Sequence, residues 1–337
     1  MAWEKLGTAS VGGTALTNTS WKLLGRGSPG SATLDTGTIT AKDNLMVLIM
    51  ANEGTQMLTY NGDSGSNYAN KRSEEGGAFQ NQTSQSNLNF TRNIGEDMFM
   101  VGNVINNASL EKLGVYHQTS VNNAGASNAP KRQEWVHKWA NTSDQITRVT
   151  LTSDSGDFAS PDELVVLGYD NDEADSGTNF WQELASVELS SSGDTINSGT
   201  ISAKKWLMYE VYVVPSGNTR TTFRFNSDSG SNYTHRNSTD GGSDSTKTSR
   251  TSIEAGAGDN DQHAYHTGFI VNVASKNKLM INHNMKTGGS GAGSAPTRKE
   301  DVAKWTNTSD AITSIQAIND QGGDYGAGSY MRVYGAD

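Results

Sequence analysis

The chain has 337 residues, 34% hydrophobic and 18% charged, with 37 glycines and five prolines, a length that suggests about two domains, each able to bury its own core. A formal charge of −10 without any Lys/Arg cluster excludes the basic footprint that phosphate binding requires, so direct nucleic-acid packaging is not expected. The absence of cysteine excludes disulfides, thiolate metal sites and cysteine nucleophiles, and suits folding in a reducing cytoplasm.

Residues 1–20 read as an N-terminal arm. Met1-Ala2-Trp3-Glu4-Lys5 has no apolar signal core, and no run approaches the roughly 18 apolar residues of a membrane span. Beyond the arm, Gly, Ser, Thr and Asn separate short apolar runs. These residues are weak helix formers and good turn formers, so short strands are expected. In chain order, strands are expected over Met98–Ile105, Arg132–Trp139 and Leu164–Tyr169. In the second of these, Arg132, Glu134, Val136 and Lys138 alternate with Gln133, Trp135, His137 and Trp139. Pro130 would also suit a helix first turn, but the period of two favours a strand. The polar, acidic stretch Asn171 to Thr178 reads as the body of a linker, residues 171–180. Further strands are expected over Lys205–Val214, Arg220–Phe225, Gly268–Val273 and Leu279–His283, with Phe223 and Phe225 on one face. About eight strands per half point to antiparallel sandwiches.

The two halves repeat each other. Asn61-Gly62-Asp63-Ser64-Gly65-Ser66-Asn67-Tyr68 returns as Asn226-Ser227-Asp228-Ser229-Gly230-Ser231-Asn232-Tyr233. Ala108-Ser109 and Lys112-Leu113 return as Ala274-Ser275 and Lys278-Leu279. The segment from Ala129-Pro130 through Lys138-Trp139 to Asn141-Thr142-Ser143-Asp144 returns as Ala295-Pro296 through Lys304-Trp305 to Asn307-Thr308-Ser309-Asp310. Gly168 and Asp170 match Gly335 and Asp337. The expected domains are therefore residues 21–170 and 181–337. Trp3-Glu4-Lys5-Leu6 is similar to Trp181-Gln182-Glu183-Leu184, which makes the arm a remnant of another copy or an unrelated extension.

These motifs resemble a family of phage-encoded proteins common in marine viral sequence, including cyanophage. The shared elements are a Trp-led first strand, the Asn-x-Asp-Ser-Gly-x-Asn-Tyr turn, an Ala-Gly-x-Ala-Pro stretch (Ala292 to Pro296), Lys-Trp-x-Asn-Thr-Ser (Lys304 to Ser309) and a terminal Gly-x-Asp. The resemblance covers nearly the whole chain after Trp21. It implies a virion structural role and a jelly-roll fold. Family members often carry one copy, so the tandem form departs from their pattern, and no functional residues carry over.

Several motifs invite chemistry. Gly62-Asp63-Ser64-Gly65 is similar to a serine-protease nucleophile segment, but all six histidines follow Ser64, against that family's order, and nothing marks a triad partner. An Asx turn explains it. Asp63, Ser64 and Asn67, or Asp228, Ser229 and Asn232, would offer oxygens to Ca²⁺, without the bidentate Glu of an EF-hand. His263 and His266 would present two metal ligands on a helix; on a strand they point to opposite faces. Met98 and Val101 stand at those places in the first copy. The Gly288-Gly289-Ser290-Gly291-Ala292-Gly293 run fits no phosphate fingerprint and reads as a flexible loop. Arg132, Glu134 and Lys138, with Arg298, Glu300 and Lys304, read as solvated or inter-subunit ion rows. Trp21, Trp139, Trp181 and Trp305 read as core rather than sugar platforms.

The expectation is an all-β, non-enzymatic protein of two tandem antiparallel β-sandwich (jelly-roll-like) domains, with no catalytic, cofactor-binding or metal residues and no cofactor. The expected role is a phage structural protein, a capsid decoration, head-fibre or other outer virion component. It would be assembled in the host cytoplasm with other virion proteins and copies of itself, without nucleic-acid or membrane contact. The alternatives are a double jelly-roll major capsid protein and a tail-fibre module binding a host-surface glycan.

Overall fold

The computed structural model describes residues 10–11, 14–15, 21–52, 54–90, 96–170, 179–256, 261–288 and 291–337. The protein is all-β: no helix occurs among the described residues. Most of the expected arm, including Trp3 to Leu6, and positions 171–178 of the expected linker lie outside them. Near the N-terminus, β1 (Ser10–Val11) pairs with β2 (Thr14–Ala15).

Residues 22–169 supply β3 (Lys22–Gly27), β4 (Thr33–Asp35), β5 (Asn44–Ala51), β6 (Gln56–Tyr60), β7 (Tyr68–Glu74), β8 (Gln80–Gln85), β9 (Leu88–Phe90), β10 (Met98–Ile105), β11 (Lys112–Ser120), β12 (Lys131–Trp139), β13 (Val149–Ser153) and β14 (Glu163–Tyr169). They form an eight-stranded antiparallel sheet, β3-β14-β5-β10-β11-β12-β7-β8, and a four-stranded one, β4-β13-β6-β9.

Residues 182–336 supply β15 (Gln182–Glu188), β16 (Thr195–Asn197), β17 (Trp206–Val213), β18 (Pro215–Ser216), β19 (Thr221–Phe225), β20 (Tyr233–Thr239), β21 (Ser245–Arg250), β22 (Ile253–Glu254), β23 (Ala264–Val271), β24 (Lys278–Lys286), β25 (Thr297–Trp305), β26 (Ile315–Asn319), β27 (Asp324–Tyr325) and β28 (Tyr330–Ala336). Their sheets repeat the first half strand for strand, as β15-β28-β17-β23-β24-β25-β20-β21 and β16-β26-β19-β22, with β18 and β27 added as a small pair.

Strand chemistry explains the layers. In β5, Leu45, Val47, Ile49 and Ala51 join a buried cluster with Leu34 and Leu58 of the four-stranded sheet. The alternate residues Met46, Leu48 and Met50 point the other way, into a separate cluster. Two buried faces make a continuous apolar run rather than an alternating one. The second half builds its own cluster from Tyr209, Val211 and Trp305 against Ile196 and Phe223.

A third cluster joins the halves. Met46, Leu48, Met50, Phe99, Val101, Val165 and Leu167 meet Trp206, Met208, Val271, Leu279, Ile281, Val302 and Tyr334. Each half thus keeps a core of its own, as expected of two domains, and the outer faces of the two eight-stranded sheets also bury apolar surface together.

The expected strands occur, including Lys131–Trp139 in place of a helix. The count of about eight per half is too low, because twelve and fourteen are present among the described residues. Strands β8 and β21, Gln-Asn-Gln-Thr-Ser-Gln and Ser-Thr-Lys-Thr-Ser-Arg, contain no apolar residue and lie largely exposed. Backbone pairing to β7 and β20 holds these edge strands, so no burial pattern announces them.

Candidate functional site

The repeated motifs are fasteners, and their geometry accounts for their repetition. Asn61 and Asn226 take left-handed φ values of 55° and 52°, a conformation that Asn tolerates at turns. The carboxylate of Asp63 accepts bonds from Gly65 N (2.8 Å), Asn67 Nδ2 (2.9 Å) and the indole Nε1 of buried Trp139 (2.7 Å). Asp228 is held alike by Gly230, Asn232 and Trp305. Partial burial opposes ionisation, but these donors outweigh it and keep both carboxyls below their usual value. Lys112 Nζ donates to Asn141 O (2.8 Å) and Lys278 Nζ to Asn307 O (2.7 Å), each over its tryptophan ring. The closing aspartates fasten the sheets: Lys42 Nζ lies 2.9 Å from Asp170 and Lys204 Nζ 2.6 Å from Asp337. The matched Gly168 and Gly335 leave room for Leu24 and Leu184, whose Cδ1 atoms would each lie 2.6 Å from an added Cβ.

This arrangement leaves the sequence-level chemistry candidates dispersed. Ser64 lies exposed in its turn, and the Asp63 oxygens accept bonds from indole and amide donors. Among the described residues, no group of three or more His, Asp or Glu side chains is placed to hold a metal ion. His263 is exposed and bonds Tyr212 Oη at 2.9 Å, while His266 points into the second core. The hairpin registers equate His263 and His266 with Asp97 and Met100, one residue earlier than the expected Met98 and Val101. In the glycine run, positions 289–290 lie outside the described residues; Gly288 and Gly291 both have φ of 71°.

Of the charge rows, Arg132, Glu300 and Lys304 meet between the halves, whereas Arg298 and Lys138 keep 61% and 45% of their side chains exposed. Arg132, only 5% exposed, reaches Asp244 (2.6 Å) and Glu300 (3.0 Å) of the second half, besides Glu134 on its own strand. Burial, with the facing Glu300 carboxyl, pushes Glu134 up to about 8. His117 and His283, at equivalent positions of the two halves, meet edge to face at 4.5 Å. Burial pushes His117 down to about 3. Lys304 Nζ donates to Val121 O (2.9 Å) and Asn123 O (2.8 Å) across the seam, whereas the matching Lys138 is exposed and pairs with Glu111 at 3.0 Å. Trp139 and Trp305 belong to the two separate cores, but Trp21 and Trp181 belong to the seam. The sequence marked Arg132, Glu134 and Lys304 as a charged strand face. It carried no sign of Asp244 or the histidine pair beyond the matched positions of His117 and His283.

The seam is lopsided, and this singles out a surface. Val271, Leu279, Ile281 and Val302 are at most 2% exposed within it. Their first-half equivalents Ile105, Leu113, Val115 and Val136 are 57%, 57%, 46% and 50% exposed. Ile105 pairs across the strands with Leu113, and Val115 with Val136. Leu113 and Val115 share one face of β11, so the four form one continuous apolar patch.

No known family model matches the chain, and no curated protein does. Among solved structures, the attachment invasion locus protein Ail of Yersinia pestis aligns over 79% of this chain and 99% of its own, at 6% identity and a TM-score of 0.14. Neisserial surface protein A covers 83% and 99%, at 8% identity and 0.11. The outer membrane protein OpdK of Pseudomonas aeruginosa covers 87% and 97%, at 9% identity and 0.15. At these TM-scores the likenesses carry no argument about fold or function. Among the described residues no helix is long and apolar enough to cross a membrane.

Proposed function

We propose that residues 21–170 and 181–337 are two jelly-roll β-sandwich domains, joined by residues 171–180. We further propose that the protein is an outer structural component of a virus particle, a capsid decoration or head fibre, working by protein–protein assembly rather than catalysis. The observation that carries this reading is the strand order. Setting aside β7, β8, β11 and β12, the first half leaves β3-β14-β5-β10 facing β4-β13-β6-β9. Numbered along the chain, that is 1-8-3-6 against 2-7-4-5, the order of two interlocked Greek keys in a jelly roll, an architecture used by viral capsid and lectin domains. The second half has the same order in β15-β28-β17-β23 and β16-β26-β19-β22. The motifs that resemble phage virion proteins are spent on turns and fasteners, which supports a scaffold that presents surface. Two similar domains in one chain give repeated contacts and avidity.

The same strand order favours a second reading, a double jelly-roll shell protein. Purified particles separate the two. Decoration predicts many copies at a fixed ratio below that of the major shell protein, removable without opening the shell. Copies equal to the shell lattice favour the second reading. Chain found only free in the lysate, with none in particles, overturns both. Binding on a glycan array would move the role to host-surface recognition.

A further inference from the structure

We infer that the exposed apolar patch of Ile105, Leu113, Val115 and Val136 is a dimerisation surface whose occupant is the same patch on a second copy of this chain. The inference deepens the assembly role proposed above and rests on it, naming the partner and the face. Three observations lead to it. First, these positions already serve as an interface once in the molecule, because their second-half equivalents Val271, Leu279, Ile281 and Val302 are sealed in the seam. The patch is thus continuous in kind with an existing contact, and an unpaired apolar patch on a folded surface marks an interaction site.

Second, the obvious alternative acceptor is chemically wrong. The seam is received by Leu48, Met50, Phe99 and Val101 of the first half. At the corresponding places the second half carries Glu210, Tyr212, Tyr265 and Thr267, equated by the registers of β5 with β10 and of β17 with β23. There Tyr265 Oη donates to Glu210 Oε1 at 2.8 Å. A head-to-tail chain would set four aliphatic side chains on this polar face. The matching apolar surface is the patch itself.

Third, the rim is self-complementary. Lys138 and Glu111, side chains 45% and 41% exposed, pair with each other beside Leu113. A two-fold axis through the patch lets each lysine reach the other copy's glutamate, as an isologous contact requires.

The full chain carries no cysteine, so single cysteines make clean probes. The protein is expected to sediment as a dimer at about 10 μM, a concentration suited to micromolar affinity. V115E is expected to weaken the dimer at least tenfold while the circular dichroism and melting curve stay those of the parent chain. V136C is expected to form a disulfide-linked dimer on mild oxidation, whereas S245C, on the exposed edge strand β21, is expected to stay monomeric. A monomer at all concentrations overturns the inference, and so do equal cross-linking of the two cysteine variants and cross-links from the patch to residues 1–20 of the same chain. Each of these outcomes leaves the particle measurement untouched, whereas absence from particles overturns the virion role and not the dimer.

Discussion

The two halves share a strand order but fill their interiors differently, and the difference turns on one matched glycine. Gly102 in β10 and Gly268 in β23 each lie between two cross-strand neighbours. In the first half these are Val47 and Tyr116, and an added Cβ on Gly102 would lie 2.1 Å from the Tyr116 ring. In the second half they are Tyr209 and Asn282, and the clash is with Tyr209 at 2.4 Å. One tyrosine ring covers each glycine, but it arrives from opposite sides. The consequences spread along the strands. Tyr116 Oη bonds Tyr60 (3.1 Å), which bonds His137 (2.9 Å), and Trp135 packs edge to face on Phe90. In the second half Tyr209 Oη donates to Asn282 (2.7 Å), and Asn282 to Asp301 (3.0 Å), which pairs with Lys299 (3.2 Å). Asp301 stands where the first half has Trp135, so a buried ion pair replaces an indole. Burial pushes Asp301 up to about 6. One backbone therefore tolerates an aromatic or an ionic interior, with Tyr116, Tyr209, Asn282 and Asp301 each hydrogen-bonded or ion-paired.

The sharpest test exchanges the tyrosines. Y116N alone leaves a cavity over Gly102 and is expected to cost about 3–5 kcal/mol, as aromatic truncations in cores do. V47Y alone overpacks and is expected to cost about 1–3 kcal/mol. Together they recreate the arrangement of the second half, and the double variant is expected to be more stable than the sum predicts by about 1 kcal/mol or more. Chemical denaturation of the four proteins measures this coupling; strict additivity would break the equivalence of the two glycine sites.

A smaller effect separates the two lysines of the repeated Lys-Trp motif. K304A removes two charge-assisted bonds to Val121 O and Asn123 O and is expected to cost about 2–3 kcal/mol. K138A removes only an exposed pair with Glu111, so a cost below about 1 kcal/mol is expected. Equal losses in thermal denaturation would contradict the lopsided seam.

That contrast also marks where sequence reading stops. Lys138 and Lys304 sit in one motif with one local pattern, and the alternation of β12 and β25 was legible from it. Alternation gives the face of a strand but not what covers that face. The seam is made by residues far apart in the chain, and Val136 and Val302 carry no local mark distinguishing exposed from buried. The turns around Asp63 and Asp228 were legible because Asx chemistry acts over four residues. Strands β8 and β21 were not, because pairing at a polar edge leaves no periodic signal. The pairing of His266 with Val101 missed by one residue, since a short-range match between copies does not fix register where the sequences diverge.

The histidine at that misread position gives the last and most condition-dependent difference. His266 is fully buried in the second core, where the first half has Met100, and neither of its ring nitrogens bonds a protein atom. Burial, reinforced by Lys286 and Lys299, pushes it down to about 3. Above its ordinary value near 6.5 both folded and unfolded chains hold it neutral, so it adds no pH dependence there. Between about 6.5 and 3 the unfolded chain takes up a proton that the folded chain refuses. Stability is then lost as pH falls, at up to about 1.4 kcal/mol per pH unit. H266M copies the first half and removes that slope. The variant is expected to lie close to the parent chain at pH 7.5 and to be about 2 kcal/mol less acid-sensitive by pH 5. Urea midpoints across this range measure it. Parallel curves for variant and parent would mean that His266 already titrates in the folded core, and the interior of the second half would then be wetter than its packing implies.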